Sequence, residues 1–335
     1  MFSKILSISI AAYNAEKDIS NCLSSMVNSS VIDLLDIIVV NDGSKDRTFD
    51  VAKTFSEKWP NSVRVINKEN GGHGSTINTG IIEAKGKYFK IVDSDDWVDT
   101  TGLEKLVEFL SDSDVDLVMN PFNTVKIDSK NNVTSRDPCP KILNKNQIYS
   151  VEQLTGQETL HMHSITFKTD AIKKVGPVID EHCFYVDMEY TVFPIMNIKT
   201  FCYLDFVVYQ YQLGAITQSV SLQNMIKRRN EHKKVIISLI NFYNSNFNNV
   251  CKTLKDISIK RISQAIYSQY AIYLQMGNRG AKEELDRFCC ELNSLNFDYL
   301  EFIGSKSKKI LLTILGHKSY LAFFLMSLIY RKIKK

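Results

Sequence analysis

The chain has no Cys-x-x-Cys pair, although seven cysteines are scattered through its 335 residues. An odd cysteine count without metal-type spacing argues against a disulfide or metal framework and favours reduced thiols in a cytosolic setting. Gly-x-Gly-x-x-Gly is missing after the first apolar segment, where Tyr13-Asn14-Ala15 stands instead, which excludes a dinucleotide-binding dehydrogenase. A glycine-rich, Lys/Arg-bearing phosphate loop is missing there too, which argues against a sugar nucleotidyltransferase. Met1 to Tyr13 carries one lysine and a short apolar stretch but no cleavage-like site, so it is read as a first strand, not a leader. The sequence shows no repeat and no low-complexity linker.

What is present is an ordinary globular composition with 44% apolar and 23% charged residues, which excludes a disordered chain. The length predicts one large domain with an appendage, or two domains. The net charge of +4 conceals an asymmetry. Residues 305–335 hold eight Lys/Arg and no acid, leaving 33 basic against 37 acidic residues in the body. A slightly acidic body with a basic, apolar tail points to a membrane surface and away from nucleic acid.

In the first 120 residues strand-like and helix-like segments alternate five times. Lys4 to Ala12 predicts a strand, and Ile19, Leu23, Met26 and Val27 give Glu16 to Val27 a helical period. Asp36-Ile37-Ile38-Val39-Val40 has the β-branched continuity of a strand covered on both faces. Val63 to Ile66, Tyr88 to Asp93 and Asp116 to Met119 predict further strands. Helices lie between them, the last opened by a capping-box pattern at Thr101-Gly102-Leu103-Glu104. This order predicts a βαβ-built, mostly parallel sheet with helices on both faces. The loops after three strands, Tyr13-Asn14, Asp42-Gly43-Ser44 and Asp93-Ser94-Asp95-Asp96, then share one edge. Beyond Pro121 the rhythm changes. A hairpin with its turn at 128–132 is predicted, with strands over His163–Lys168 and Phe201–Tyr211. Helices near 222–244, 248–276 and 280–293 follow, in a helical region over 221–335.

Tyr88 to Asp93 is apolar and stops abruptly at clustered acids. In open α/β sheets, ligands bind at the carboxyl ends of the strands. Asp93 and Asp95, at i and i+2, face one way where a strand ends, and their hard oxygens suit Mn²⁺ or Mg²⁺ holding a diphosphate. The competing reading is a solvated acidic turn that caps the next helix.

Ser7-Ile8-Ser9-Ile10-Ala11-Ala12-Tyr13-Asn14, Ile37 through Ser44, Asn70-Gly71-Gly72 through Gly80, Ala84 through Tyr88 and Asp93-Ser94-Asp95-Asp96-Trp97 occur in an order that resembles the family 2 glycosyltransferases of GT-A fold. The resemblance spans residues 4–120 and extends weakly over 160–220, dividing residues 1–220 into a nucleotide-binding half (1–120) and an acceptor half (121–220). It implies an inverting transfer from a UDP-sugar to a saccharide or lipid-linked saccharide in cell-surface polysaccharide synthesis. Ala12, Tyr13 and Asn14 would line the nucleotide pocket, and Asp42 would bond the uracil edge. Ser75 would lie near the diphosphate or ribose, with Ser94 beside it in the loop of the Asp93/Asp95 pair. Trp97 would stack near a sugar. Many relatives carry Pro at position 11 or 12, and Ala-Arg-Asn where this chain has Ser75-Thr76-Ile77-Asn78.

An inverting transfer needs a carboxylate base. Relatives use a Glu-Asp pair at a helix start. Here Val186 replaces the Glu, leaving Asp187 as first choice and Glu189 as second, one acid being catalytic and the other structural. His73 is a phosphate contact or an exposed loop residue. His161 and His163 lack a third ligand and are assigned surface or core roles. Lys227, Arg228, Arg229 and His232 share one predicted helix and are assigned to its solvated face, contact with the diphosphate being the competing reading. Ile310 to Tyr330 is apolar but broken by Gly316-His317-Lys318-Ser319, so an in-plane amphipathic helix fits better than a span of ~20 apolar residues. Peripheral attachment to the cytoplasmic face of the membrane follows. The competing expectation for this tail is packing on the body or in a homodimer. A catalytically silent saccharide-binding or scaffold protein of the same fold is the alternative to an enzyme.

Overall fold

The structure, a computed structural model, describes residues 3–126, 133–136, 146–154, 160–176, 178–213, 221–300 and 319–333. They form two compact units, one of Met1–Leu154 with Leu160–Ala215 and one chiefly of Ile216–Lys335.

The first unit is built on a twisted sheet whose four leading strands are all parallel. They are β1 (Leu6–Ala12), β2 (Leu35–Asp42), β3 (Val63–Lys68) and β4 (Tyr88–Asp93), in the order β3-β2-β1-β4. Every residue of β2 is buried, as expected of a β-branched strand covered on both faces. In β1, Leu6, Ile8 and Ile10 fill the core, and the alternate residues are serines for a steric reason. Helix α3 (His73–Glu83) crosses that face so closely that a Cβ on Gly80 would lie 2.0 Å from Ser9 Oγ. Helices α1 (Ile19–Val27), α2 (Thr48–Lys58) and α4 (Thr100–Asp112) complete the layers.

Beyond β4 the sheet departs from simple alternation. The fifth predicted strand, β6 (Leu117–Met119), does not pair with β4. β10 (Ile165–Lys168) enters between them, antiparallel to both, and β11 (Thr200–Tyr203) and β9 (Ile148–Ser150) extend the far edge. The predicted strand over Phe201–Tyr211 is two strands in two sheets. Its second part, β12 (Tyr209–Leu213), joins β5 (Trp97–Val98), β7 (Phe122–Lys126) and β8 (Val133–Arg136) in a small sheet. β7 and β8 are antiparallel, as a hairpin requires, and its predicted turn lies outside the described residues. The capping box expected at Thr101–Glu104 does not form. Asp99 accepts from Gly102 N at 2.7 Å, so the helix starts earlier, and Glu104 instead receives Ser30 N and Oγ. Two short helices, α5 (Thr169–Lys173) and α6 (Asp187–Val192), lie between β10 and β11 in sequence.

The second unit is helical: α7 (Leu222–Lys227), α8 (Arg229–Asn246), α9 (Lys252–Met276), α10 (Arg279–Ser294) and α11 (Tyr320–Ile333). The cationic face predicted near 227–232 is partly internal. The helix is interrupted at Arg228, Arg229 pairs with Glu284 at 2.7 and 2.8 Å, and buried His232 meets Gln269 at 2.7 Å. Ion pairing and core packing compete successfully with solvation there.

Candidate active site

Because β1 to β4 are parallel and adjacent, the loops after all four emerge on one edge, and side chains stitch each to the next. Asn14, in the left-handed region at φ 51°, donates its N–H to Ser44 Oγ, and Asn14 Oδ1 accepts from Lys45 N. This joins the β1 loop to the β2 loop. Asp42, 2% exposed, accepts from Gly71 N and Gly72 N at 2.8 Å each and from Lys68 Nζ at 3.1 Å. This joins the β2 loop to the β3 loop. Any contact with a base edge would be made by a carboxylate already accepting three hydrogen bonds. His73 opens α3, and its Nε2 lies 3.1 Å from Asp93 Oδ1, joining the third loop to the fourth. His73 is thus neither an exposed loop residue nor a free one.

The acids after β4 have distinct environments. Burial alone would raise Asp93, but the hydrogen bond and charge of His73, with a contribution from His163, together more than reverse this and hold its carboxyl below the usual range. The same bond, with the charges of Asp93, Asp187 and Asp95, outweighs desolvation at His73 and raises its imidazole. Asp95 lies in the exposed turn, yet desolvation and the Asp93 charge push it up to about 6. Asp96 is buried and spoken for, accepting from Tyr209 Oη at 2.6 Å and Gln212 N at 2.7 Å, and Asp93 N–H donates to the same Tyr209 Oη. Burial and its acidic neighbours push the Asp96 carboxyl well above the ordinary value. Among the described residues, no lysine or arginine pairs with any of these three acids.

Of the other predicted site residues, Ala12 ends β1 opposite Asn41, and Tyr13 follows it half-exposed. Ser75 is buried in the first turn of α3, beneath Gly71. Ser94 is buried behind Asp93, and Trp97 pairs with Gln210 in the small sheet.

Asp187 and Glu189 reach this region through the segment 179–183. That segment lies against α3 so tightly that a Cβ on Gly74 would meet Asp180 O at 2.0 Å. Asn78 exchanges hydrogen bonds with Ile179 on both sides. His182 and Tyr185 sit at φ 51° and 69°, the unfavourable backbone often found beside functional sites. The geometry separates the two acids. Glu189 is fully buried and accepts from Asp180 N at 2.8 Å, which holds that segment in place. Asp187 is partly exposed at the start of α6 and contributes to the field around His73 and Tyr211.

Three residues escaped sequence reasoning. His163, assigned to surface or core, lies just before β10 and stacks on Tyr211 at 4.2 Å. Burial pushes it down to about 4, leaving a neutral imidazole, and its buried Nδ1 has no hydrogen-bond partner. Its ring nitrogen and the carboxylates of Asp93 and Asp96 lie within 4.8 Å of one another. Lys90, fully buried in β4, donates to His163 O at 2.9 Å and Ile165 O at 3.1 Å, and desolvation lowers it to about 7. Tyr209 links the backbone of Asp93 to Asp96. The one usable signal was a lysine inside an apolar strand.

The donor chemistry fits a hard divalent cation. Asp93 and Asp95 supply carboxylate oxygens without a competing lysine or arginine, and neutral His163 adds a nitrogen nearby. Asp93 belongs to the predicted pair with Asp95 and to the compact group with Asp96 and His163. Both Asp96 oxygens already accept hydrogen bonds.

A mostly parallel α/β sheet with an acid-rich edge at its strand ends, followed by a helical region, defines a GT-A type fold. Residues 7–176 match the family model described as "Glycosyl transferase family 2". The chain belongs to this family. Residues in common with the uncharacterized glycosyltransferase EpsJ of Bacillus subtilis are 31% identical over 163 positions, covering 49% of this chain and 45% of EpsJ. The minor teichoic acid biosynthesis protein GgaB of B. subtilis is 27% identical over 186 residues, 54% of this chain and 20% of GgaB. The chain thus spans less than half the length of these curated relatives. Among solved structures, S. aureus TarS 1–349 with UDP matches at TM-score 0.67 and 15% identity, covering 98% of this chain and 91% of TarS 1–349. Its complex with UDP-GlcNAc matches at TM-score 0.67 and 16% identity, covering 98% and 92%.

Proposed function

We propose that the chain is an inverting glycosyltransferase that moves a sugar from a nucleotide diphosphate, UDP in the first instance, to a saccharide or lipid-linked saccharide in cell-surface polysaccharide synthesis. The observation that carries this is the contact of His73 with Asp93 at the sheet edge, with Asp95 and Asp187 close enough to act on the His73 imidazole electrostatically and Glu189 withdrawn into the core. TarS, of the same fold, has been crystallised with UDP and UDP-GlcNAc, which nominates uridine as the base to test.

In this reading Asp93 and Asp95 would hold Mn²⁺ or Mg²⁺, with His163 the candidate nitrogen ligand, and the ion when bound would supply positive charge beside the diphosphate. Ala12, Tyr13 and Asn14 form the nucleotide wall. Asp42 shapes the Gly71-Gly72 loop against it, and Ser75 and Ser94 lie along that wall. Trp97 presents a ring to a sugar. The acceptor oxygen attacks the anomeric carbon, its proton passes to the Asp187 carboxylate, and the bond from that carbon to the diphosphate oxygen breaks to release UDP. His73 keeps Asp93 ionised and oriented.

Calorimetric titration of UDP with and without Mn²⁺, on wild type and Asp95→Ala, tests the donor site. Metal-dependent binding that disappears in the variant is the expected result. No UDP binding even with metal would remove the uridine assignment. Binding without slow hydrolysis of any UDP-sugar would favour a silent scaffold.

A further inference from the structure

The helical unit carries an exposed apolar surface. Helix α11 has two unlike faces. On one, Phe323 and Ser327 are 1% and 0% exposed. A Cβ on Gly277, at the end of α9, would lie 2.2 Å from Ser327 Oγ, and Arg331 Nε donates to Ser327 O at 3.3 Å. Small residues thus seat α11 against α9 at close range. On the other face Leu321, Phe324, Leu325, Leu328 and Ile329 recur at steps of three and four and form one exposed stripe about 12 Å long. Leu321 is 67% exposed and Ile329 59%. A contiguous apolar stripe of this kind marks a contact surface, not scattered surface residues.

Two observations say what covers it. Among the described residues no helix is long and apolar enough to cross a membrane. The sequence around it is cationic without exception, with Arg331 and Lys332 on α11 itself and eight Lys/Arg against no acid over residues 305–335. A second copy meeting this face through a two-fold axis would bring the same unbalanced positive charge to the contact. An anionic lipid surface brings the opposite charge and an apolar layer beneath it.

We propose that α11 lies in the plane of an anionic bilayer, with the Leu321–Ile329 stripe in the headgroup–acyl boundary and Arg331 and Lys332 against lipid phosphates. The proposal stands apart from the assignment of the donor site.

Flotation of the full chain with vesicles of phosphatidylcholine, alone or mixed with phosphatidylglycerol, tests it. Binding is expected only to the mixed vesicles and should weaken as salt rises. Leu325→Ser with Ile329→Ser should lower the partition coefficient more than tenfold, and Lys332→Gln should lower it about fivefold. Both side-chain sets are exposed, so an unchanged melting temperature is expected and confirms folding. A Phe324→Trp variant should show a blue-shifted emission on mixed vesicles. No flotation with the mixed vesicles at low salt would overturn the proposal, as would equal flotation of the double variant. A wild-type dimer that the double variant converts to a monomer, without vesicle binding, would assign the face to a second copy instead.

Discussion

The two ends of one sheet treat their carboxylates in opposite ways. Where β2 begins, buried Asp36 accepts from Arg64 Nε at 2.8 Å, from Ser7 Oγ at 2.6 Å and from Lys85 N at 3.0 Å. Burial would raise it, but the hydrogen bonds from Arg64 and Ser7 win, and its carboxyl lies below the usual range. Where β4 ends, Asp93, Asp95 and Asp96 crowd together with His73 and His163 and with no paired lysine or arginine among the described residues. There Asp95 and Asp96 are raised. The first arrangement satisfies each charge and stabilises the fold. The second leaves carboxylates without a lysine or arginine partner, at some expense of stability, the pattern expected where a site is kept for function.

The sharpest way to break this comparison is at the strand end. Asp187→Asn should lower kcat by about 10²–10⁴-fold with little change in donor affinity, read by single-turnover transfer and UDP titration. Asp95→Ala should lower transfer by about 10²–10³-fold and abolish the effect of Mn²⁺ on UDP binding. Asp36→Ala should do the reverse. Arg64 would lose its buried partner while staying partly exposed, so unfolding in urea should show a loss of about 2 kcal/mol, with UDP affinity of the folded chain unchanged. Glu189→Gln can still accept from Asp180 N, so it should lower stability by about 1 kcal/mol and leave the pH–rate profile in place. If that profile moves instead, the base is Glu189.

The smallest effect is a matter of sign. The Asp95 carboxyl, near 6 in the folded chain against about 3.9 unfolded, costs stability at neutral pH, and the cost disappears as the pH falls through this interval. Asp95→Asn should therefore raise the melting temperature of the metal-free chain slightly at pH 7.5 and not at pH 4. Asp36 contributes in the other direction. Its stability is present above its unfolded value and is lost as the pH falls through its lower folded value. Thermal melts of Asp36→Asn and Asp95→Asn across pH would show the two opposite slopes.

Local pattern made the first four strands legible, because a β-branched run such as Ile37–Val40 and the helical spacing of Ile19, Leu23 and Met26 carry their period within a few residues. It also placed the acids at the end of β4, since apolar residues that stop at Asp93 mark a strand end wherever that strand pairs. Capping was misread because Asp99 and Thr101 are equally good local signals, and the chain direction entering the helix chose between them.

Tertiary structure alone decided the rest. Pairing is long-range, and no local period says that β10 will run antiparallel between β4 and β6. That insertion brings His163 to Asp93 and gives Lys90 two carbonyls to hold. Nor could spacing divide Asp187 from Glu189. Two residues apart on a helix they point in different directions, and the packing of residues 179–183 on α3 leaves Asp187 partly exposed and holds Glu189 in the core. The sequence by itself determined which residue types could do the chemistry. The fold determined which of them were left available for it, because burial and hydrogen bonding are properties of neighbours distant in the chain.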